Sequence, residues 1–167
     1  MHHPNFHLID QCYAEPFGQE AMARFLAAHG TRKRATPLPA EVRLGIPREA
    51  FRNAWDLALT SRAEYWEGYA WHPECGALPF HHAWCVDPRS GAVWDTTWRD
   101  VEGAVYLGVY VPTERLCATL NETGAFGILD KGVGLEHRTV ADLWGWIDPT
   151  RPAALRDRDR RRHRLTL

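Results

Sequence analysis

Four runs of aromatic and β-branched residues, Glu64 to Trp71, Phe80 to Val86, Ala92 to Trp98 and Ala104 to Val111, crowd the middle of the chain with Pro, Gly and Asp between them. Runs of this length and composition predict strands, and the turn-forming Asp87-Pro-Arg-Ser-Gly91 predicts that the second and third form an antiparallel hairpin. Two helices precede them. One is expected over Gly18 to Gly30, with Met22, Phe25 and Leu26 at helical spacing and a glycine to close it. The other is expected to open at Pro47, because Phe51, Ala54, Trp55, Ala58 and Leu59 fall at i, i+3, i+4, i+7 and i+8 and make one apolar face. Between the helices, the polar stretch Thr31 to Glu41 with Pro37 and Pro39 reads as a surface connection. After the strands, Pro112 to Leu120 reads as a brief helix, Asn121 to Gly134 as a glycine-bearing loop, and Thr139 to Trp146 as a helical turn or two. Helix, helix, then a strand meander predicts an α+β fold with N-terminal helices packed on an antiparallel β-sheet.

The chain has 167 residues, 45% hydrophobic and 25% charged, which suits one soluble domain able to bury a core without metal or disulfide staples. No run approaches the roughly 18 apolar residues that span a bilayer, and no basic start followed by an apolar stretch marks export, so a cytoplasmic protein without a membrane partner is expected. The four cysteines, Cys12, Cys75, Cys85 and Cys117, are scattered and form no C-x-x-C pair. Charge divides the chain in two. Residues 151–167 hold seven Arg and two Asp, a charge of +5, so residues 1–150 carry −6 of the total of −1. A single domain over 1–150 with an Arg-rich tail follows. The tail can meet an acidic partner, but an acidic body without aromatic interleaving argues against nucleic-acid binding.

The hairpin suggests chemistry. With a loop of two residues (Pro88, Arg89) or four (Asp87 to Ser90), opposed residues have numbers that sum to 177, and His82 faces Asp95. Opposed side chains share a face with Cβ atoms about 4.5–5.5 Å apart, so the carboxylate can hold one imidazole nitrogen and leave the other as a base. That is the orienting half of a catalytic triad. A satisfied structural ion pair explains the same two residues equally well, and a three-residue loop would set His82 against Thr96 instead.

The segments Ala50-Phe-Arg-Asn-Ala54, Tyr65-Trp-Glu-Gly-Tyr-Ala70, Phe80-His-His-Ala-Trp84 and Val93-Trp-Asp-Thr-Thr-Trp98 together resemble the transglutaminase-like branch of the papain-like cysteine hydrolases. The resemblance spans about Arg48 to Trp98, and H-A-W followed by D-x-T-W is its most specific part. It implies a papain-like, transglutaminase-like core in which a Cys opens a helix, the catalytic His lies in H-A-W (His82) and the Asp in D-x-T-W (Asp95). It also implies a thioester route to hydrolysis or transfer of a peptide, protein or small amide substrate, without a cofactor. At the nucleophile position this chain has Ala50. Either an engineered Cys-to-Ala change or a natural pseudoenzyme accounts for it, and the chain as written is expected to bind substrate without turnover.

Other readings compete. A noncatalytic binding module can keep this fold and lack the nucleophile. A zinc-stabilised interaction domain can use His72, Cys75, His81, His82 and Cys85, which lie within 14 residues, although His81 and His82 point to opposite faces of one strand. Cys85 alternates to the face opposite His82, so it and the other thiols read as buried or incidental. Trp84 and Phe80 share the His82 phase and make an apolar lining for substrate, and Glu67 is either a substrate contact or a residue on a solvated strand face.

Overall fold

The computed structural model describes residues 20–75 and 79–129. The expected helical turn at Thr139 to Trp146, the Arg-rich tail and Cys12 lie outside the described residues. In chain order the elements are α1 (Glu20–His29), β1 (Thr31–Arg34), α2 (Ala50–Thr60), β2 (Glu64–Trp71), a single 3-10 turn (Pro73–Cys75), β3 (Phe80–Val86), β4 (Val93–Trp94), β5 (Val105–Tyr110) and α3 (Thr113–Thr123). The chain is α+β, with an antiparallel five-stranded sheet in the order β1-β5-β2-β3-β4.

The two faces of the sheet are covered by different means. On one face, Tyr65, Tyr69, Ala83, Cys85, Val105, Leu107 and Val109 pack with Met22, Phe25 and Leu26 of α1, Ala54 and Ala58 of α2 and Leu116 of α3. All three helices therefore lie on this side. The other face carries Ala70, Trp84, Val86, Val93, Ala104 and Tyr106, flanked by Ala35, Trp66 and Trp98, and no helix among the described residues joins that cluster. It is buried because the sheet curls on itself. Ala35, just beyond β1, bridges Val93 of β4 in parallel, and the Thr36 hydroxyl donates to the Val93 carbonyl at 2.6 Å, so the two outer strands meet. The second face becomes the inside of a roll.

Glycine makes the roll narrow enough to close. Gly68 and Gly108 are opposed in the β2–β5 ladder, and Gly68 is also opposed to His82 in β3. A Cβ on Gly108 would run into the Trp84 indole, so the absent side chain is the space the indole fills.

Four expectations from the sequence need correction. The helix does not open at Pro47. Arg48 sits in the left-handed region at φ 68°, which breaks the helical path, and α2 begins at Ala50. The loop of the β3–β4 hairpin is Pro88 to Gly91, closed by Asp87 N–H to the Ala92 carbonyl at 2.9 Å, with Gly91 at φ 73°. Cys85 therefore opposes Trp94 and Val86 opposes Val93, a sum of 179 and not 177. The third strand stops after Trp94, because the Asp95 carboxylate takes the Thr97 N–H at 2.8 Å and turns the chain. The surface connection contains a strand, β1, whose Thr-Arg-Lys-Arg sequence has no apolar alternation for a pattern to find. The helix expected over Pro112 to Leu120 forms and runs three residues further, ending where Gly124 adopts φ 70° and donates to the Leu120 carbonyl at 2.8 Å.

Candidate active site in the roll

His82 and Asp95 meet inside the roll, 2% and 1% exposed, with His82 Nε2–H donating to Asp95 Oδ2 at 2.7 Å. The contact is diagonal. In the observed register Asp95 falls opposite Trp84, but a shift of two residues preserves the face, and the turn at Asp95 carries the carboxylate along the strand to His82. The same Oδ2 accepts the Tyr106 hydroxyl at 3.0 Å, while Oδ1 takes the Thr97 N–H. Burial opposes charge on Asp95, but His82, the Thr97 N–H and the Tyr106 hydroxyl outweigh it and hold the carboxyl below its usual range. Burial and the Asp95 charge push the Tyr106 hydroxyl well above its ordinary range, so it serves as a donor. With Nε2 committed to Asp95, Nδ1 is the nitrogen left for a reacting partner.

Aromatic rings enclose the imidazole. The Trp98 indole lies almost parallel to it, centroids 4.4 Å apart at 10°, and Phe80 meets it edge-on at 5.7 Å. Trp98 also contacts His72 at 4.9 Å, Phe80 at 5.8 Å and Tyr106 at 5.9 Å, so it is the centre of the cluster. His72 is held in turn, accepting the Glu74 N–H at Nδ1 (3.1 Å) and donating from Nε2 to the Asp100 carbonyl at 2.9 Å.

Position 50 opens the helix that packs on β3 from the other side of the sheet. Ala50 is buried as the first residue of α2, and the N-cap residue Glu49 makes no side-chain capping hydrogen bond. Asn53, one turn along, accepts the Ile46 N–H at 2.9 Å, donates to the Ile46 carbonyl at 2.7 Å and donates to Thr97 Oγ at 3.2 Å. A chain of hydrogen bonds thus runs from the first turn of α2 through Thr97 and Asp95 to His82. The helix body packs on the face away from His82, where Phe51 meets the His81 ring edge-on at 6.0 Å and the Cys85 thiol donates to the Ala54 carbonyl at 3.2 Å. The roll therefore unites His82 with Asp95, and the helix that opens with Ala50 is linked to them through the hydrogen bonds of Asn53 and Thr97.

The remaining candidates separate. Phe80 touches His82, and Trp84 shares its face but is 1% exposed and packs on Tyr106 at 4.9 Å. Among the described residues Trp84 Nε1 has no hydrogen-bond partner. Glu67 is not on a solvated face: it is fully buried on the helix side, accepting the Tyr65 hydroxyl at 3.0 Å, the Ile128 N–H at 2.7 Å and the Leu129 N–H. Burial raises its carboxyl above the usual range against the opposing pull of His81 and of these three donors. Its phase with Tyr65 and Tyr69 along β2 is the sequence signal for that interior position. Burial likewise pushes the Cys85 thiol well above its ordinary range, which leaves it inert. Among the described residues no three His, Cys, Asp or Glu side chains converge to hold a metal ion, and His72, His81 and His82 are engaged separately with Asp100, Met22 and Asp95. No helix among them is long and apolar enough to cross a membrane. Tyr106 and the stacking role of Trp98 were missed by sequence reasoning, although Tyr106 alternates in phase with Ala104 and Gly108.

No protein-family model, curated protein or solved structure matches the chain.

Proposed function

We propose that the chain is a cysteine hydrolase or acyl transferase scaffold of the transglutaminase-like, papain-like type, with Ala50 in place of the nucleophile. It binds an amide- or acyl-bearing substrate without turning it over. The observation that carries this reading is the buried His82 Nε2–Asp95 Oδ2 hydrogen bond, which fixes the imidazole and leaves Nδ1 as base. A cysteine at position 50 would give up its proton to His82, and its thiolate would attack the substrate carbonyl. The tetrahedral oxyanion would lie against the position-50 N–H at the start of α2. Its collapse would release the amine with the proton from His82 and leave a thioester. Water or a second amine, deprotonated by His82, would then take the acyl group and return the thiol.

The test is Ala50→Cys with iodoacetamide near pH 7, followed at position 50 by peptide mass spectrometry. The expected rate exceeds that of a free cysteine peptide by at least about tenfold and drops when His82→Ala is added, because the thiolate is the reacting species. A rate indifferent to His82→Ala overturns the triad.

Ala50 itself favours a second reading, a noncatalytic binding module on the same scaffold. Failure of the Ala50→Cys protein to form a thioester with an activated amide or ester, despite rapid alkylation, selects that reading.

A further inference from the structure

Of the three donors on the Asp95 carboxylate, two come from its own hairpin. The Thr97 N–H belongs to the turn that Asp95 itself makes, and His82 sits on β3, the strand that pairs with β4. Neither fixes the carboxylate against anything beyond that hairpin. The third donor, the Tyr106 hydroxyl, comes from β5, which β2 separates from β3, and it reaches Oδ2 at 3.0 Å across the inside of the roll. The Tyr106 ring is fully buried, 4.9 Å from Trp84 and 5.9 Å from Trp98, so its hydroxyl is held in place by packing before the hydrogen bond is made. A donor locked by its neighbours is the kind of support that holds a reacting group in a fixed geometry.

The direction of that bond matters as much as its origin. Burial and the Asp95 charge keep the phenol protonated, so toward Asp95 it acts only as a donor. One lone pair of Oδ2 is thereby taken, and the same oxygen holds Nε2. A carboxylate supplied with donors on both oxygens is a weaker proton acceptor. The Nε2 proton therefore stays on the imidazole, also when Nδ1 has taken up a second proton and the ring is a cation.

We propose that Tyr106 is a positioning residue of the site: from β5 its hydroxyl fixes the plane of the Asp95 carboxylate and through it the His82 ring, keeping the proton on Nε2 and leaving Nδ1 open. This assignment rests on the hydrolase or transferase reading above. In that reading a thiol at position 50 gives its proton to Nδ1, which leaves a thiolate and an imidazolium. Were the Nε2 proton then to pass to Oδ2, the ring would become neutral and the charge that balances the thiolate would be lost from it. The Tyr106 bond opposes that transfer. Because phenylalanine keeps the ring and removes only the hydroxyl, this role is separable from the filling of the core.

The experiment uses the chain with Ala50 in place, isotope-labelled at its histidines, and follows exchange of the His82 Nε2–H with water by NMR near neutral pH. Tyr106→Phe is expected to speed that exchange at least about tenfold, the worth of one hydrogen bond to a charged group. Val86→Ala opens the same interior without removing a hydrogen bond and should leave the exchange close to native. A ring-fluorinated tyrosine at position 106 is a stronger donor that should slow it, and serves as the second variant if Tyr106→Phe does not fold. In the Ala50→Cys background Tyr106→Phe should slow iodoacetamide labelling by about threefold or more, through a misplaced base, and Val86→Ala should not. Exchange that neither position-106 variant alters, or that Val86→Ala speeds equally, overturns the positioning role. The two ideas fail separately. Labelling of Ala50→Cys that ignores His82→Ala, beside faster exchange in Tyr106→Phe, removes the reaction and keeps the tether. Labelling that depends on His82 but is untouched by Tyr106→Phe removes the role of Tyr106 alone.

Discussion

Tyr106 and His82 donate to the same oxygen, Asp95 Oδ2, at 3.0 and 2.7 Å. With Thr97 N–H on Oδ1, the carboxylate receives three donors, an arrangement suited to a fixed anion. An amide cannot replace it without turning an N–H toward one of those donors.

Asp95→Asn is therefore expected to lose about 1–3 kcal/mol of stability at pH 7, the cost of leaving buried polar groups mispaired. The folded carboxyl titrates below its unfolded value, so its contribution is present above that unfolded value, about pH 4, and is lost as the pH falls through the folded one. Urea denaturation of both proteins at pH 7 and pH 3 checks this. A difference that widens on acidification contradicts it.

Glu67 follows the opposite sign. Its folded titration point is raised, so the stability it contributes is complete at low pH and is lost as the pH rises through that point, beginning above the unfolded value of about 4.3. Glu67→Gln keeps the shape and removes the titration. The native protein should lose stability relative to this variant as the pH rises above the unfolded value, measured by chemical denaturation from about pH 4 upward, and a constant difference across that range rejects the reading.

Gly108→Ala places a methyl where the Trp84 indole and the Glu67 backbone lie, neither of which has room to withdraw. A loss of about 1–3 kcal/mol or more is expected from overpacking. Gly91→Ala meets no atom within 4 Å and is strained only by φ 73°, so about 1 kcal/mol is expected there. Thermal melts should rank the pair in that order.

Asn53→Ala strips three hydrogen bonds from the start of α2, leaving the Ile46 N–H without its partner and the Ile46 carbonyl with the Glu49 N–H alone. In the Ala50→Cys background it should slow alkylation at position 50 while the His82 ring resonances stay in place, because the change loosens the helix start and not the dyad. Unaltered alkylation would show that the link through Thr97 does not position the residue.

Much of this arrangement was legible in the sequence, for physical reasons that also mark where legibility ended. The runs at Glu64–Trp71 and Phe80–Val86 coincide with β2 and β3, because strands buried on both faces are written in aromatic and apolar residues throughout. His82 and Asp95 were paired by a register that is off by two, and the pairing survives because strand faces repeat every two residues. The error came from Gly91, whose left-handed conformation sets the loop at Pro88 to Gly91. β1 left no apolar signal because it is a polar strand beside β5, more than seventy positions away. Nor does local sequence show that Ala35 and Val93 meet, so the enclosure of the dyad could not be foreseen.

That bridge also imposes an order in time. Thr36 and Val93 are 57 residues apart in sequence, and ladders closed over such distances form late, since loop entropy must be spent before the contact rewards it. The β2–β3 pairing needs no such reach. The hairpin that carries His82 is therefore expected to form before the roll closes over it.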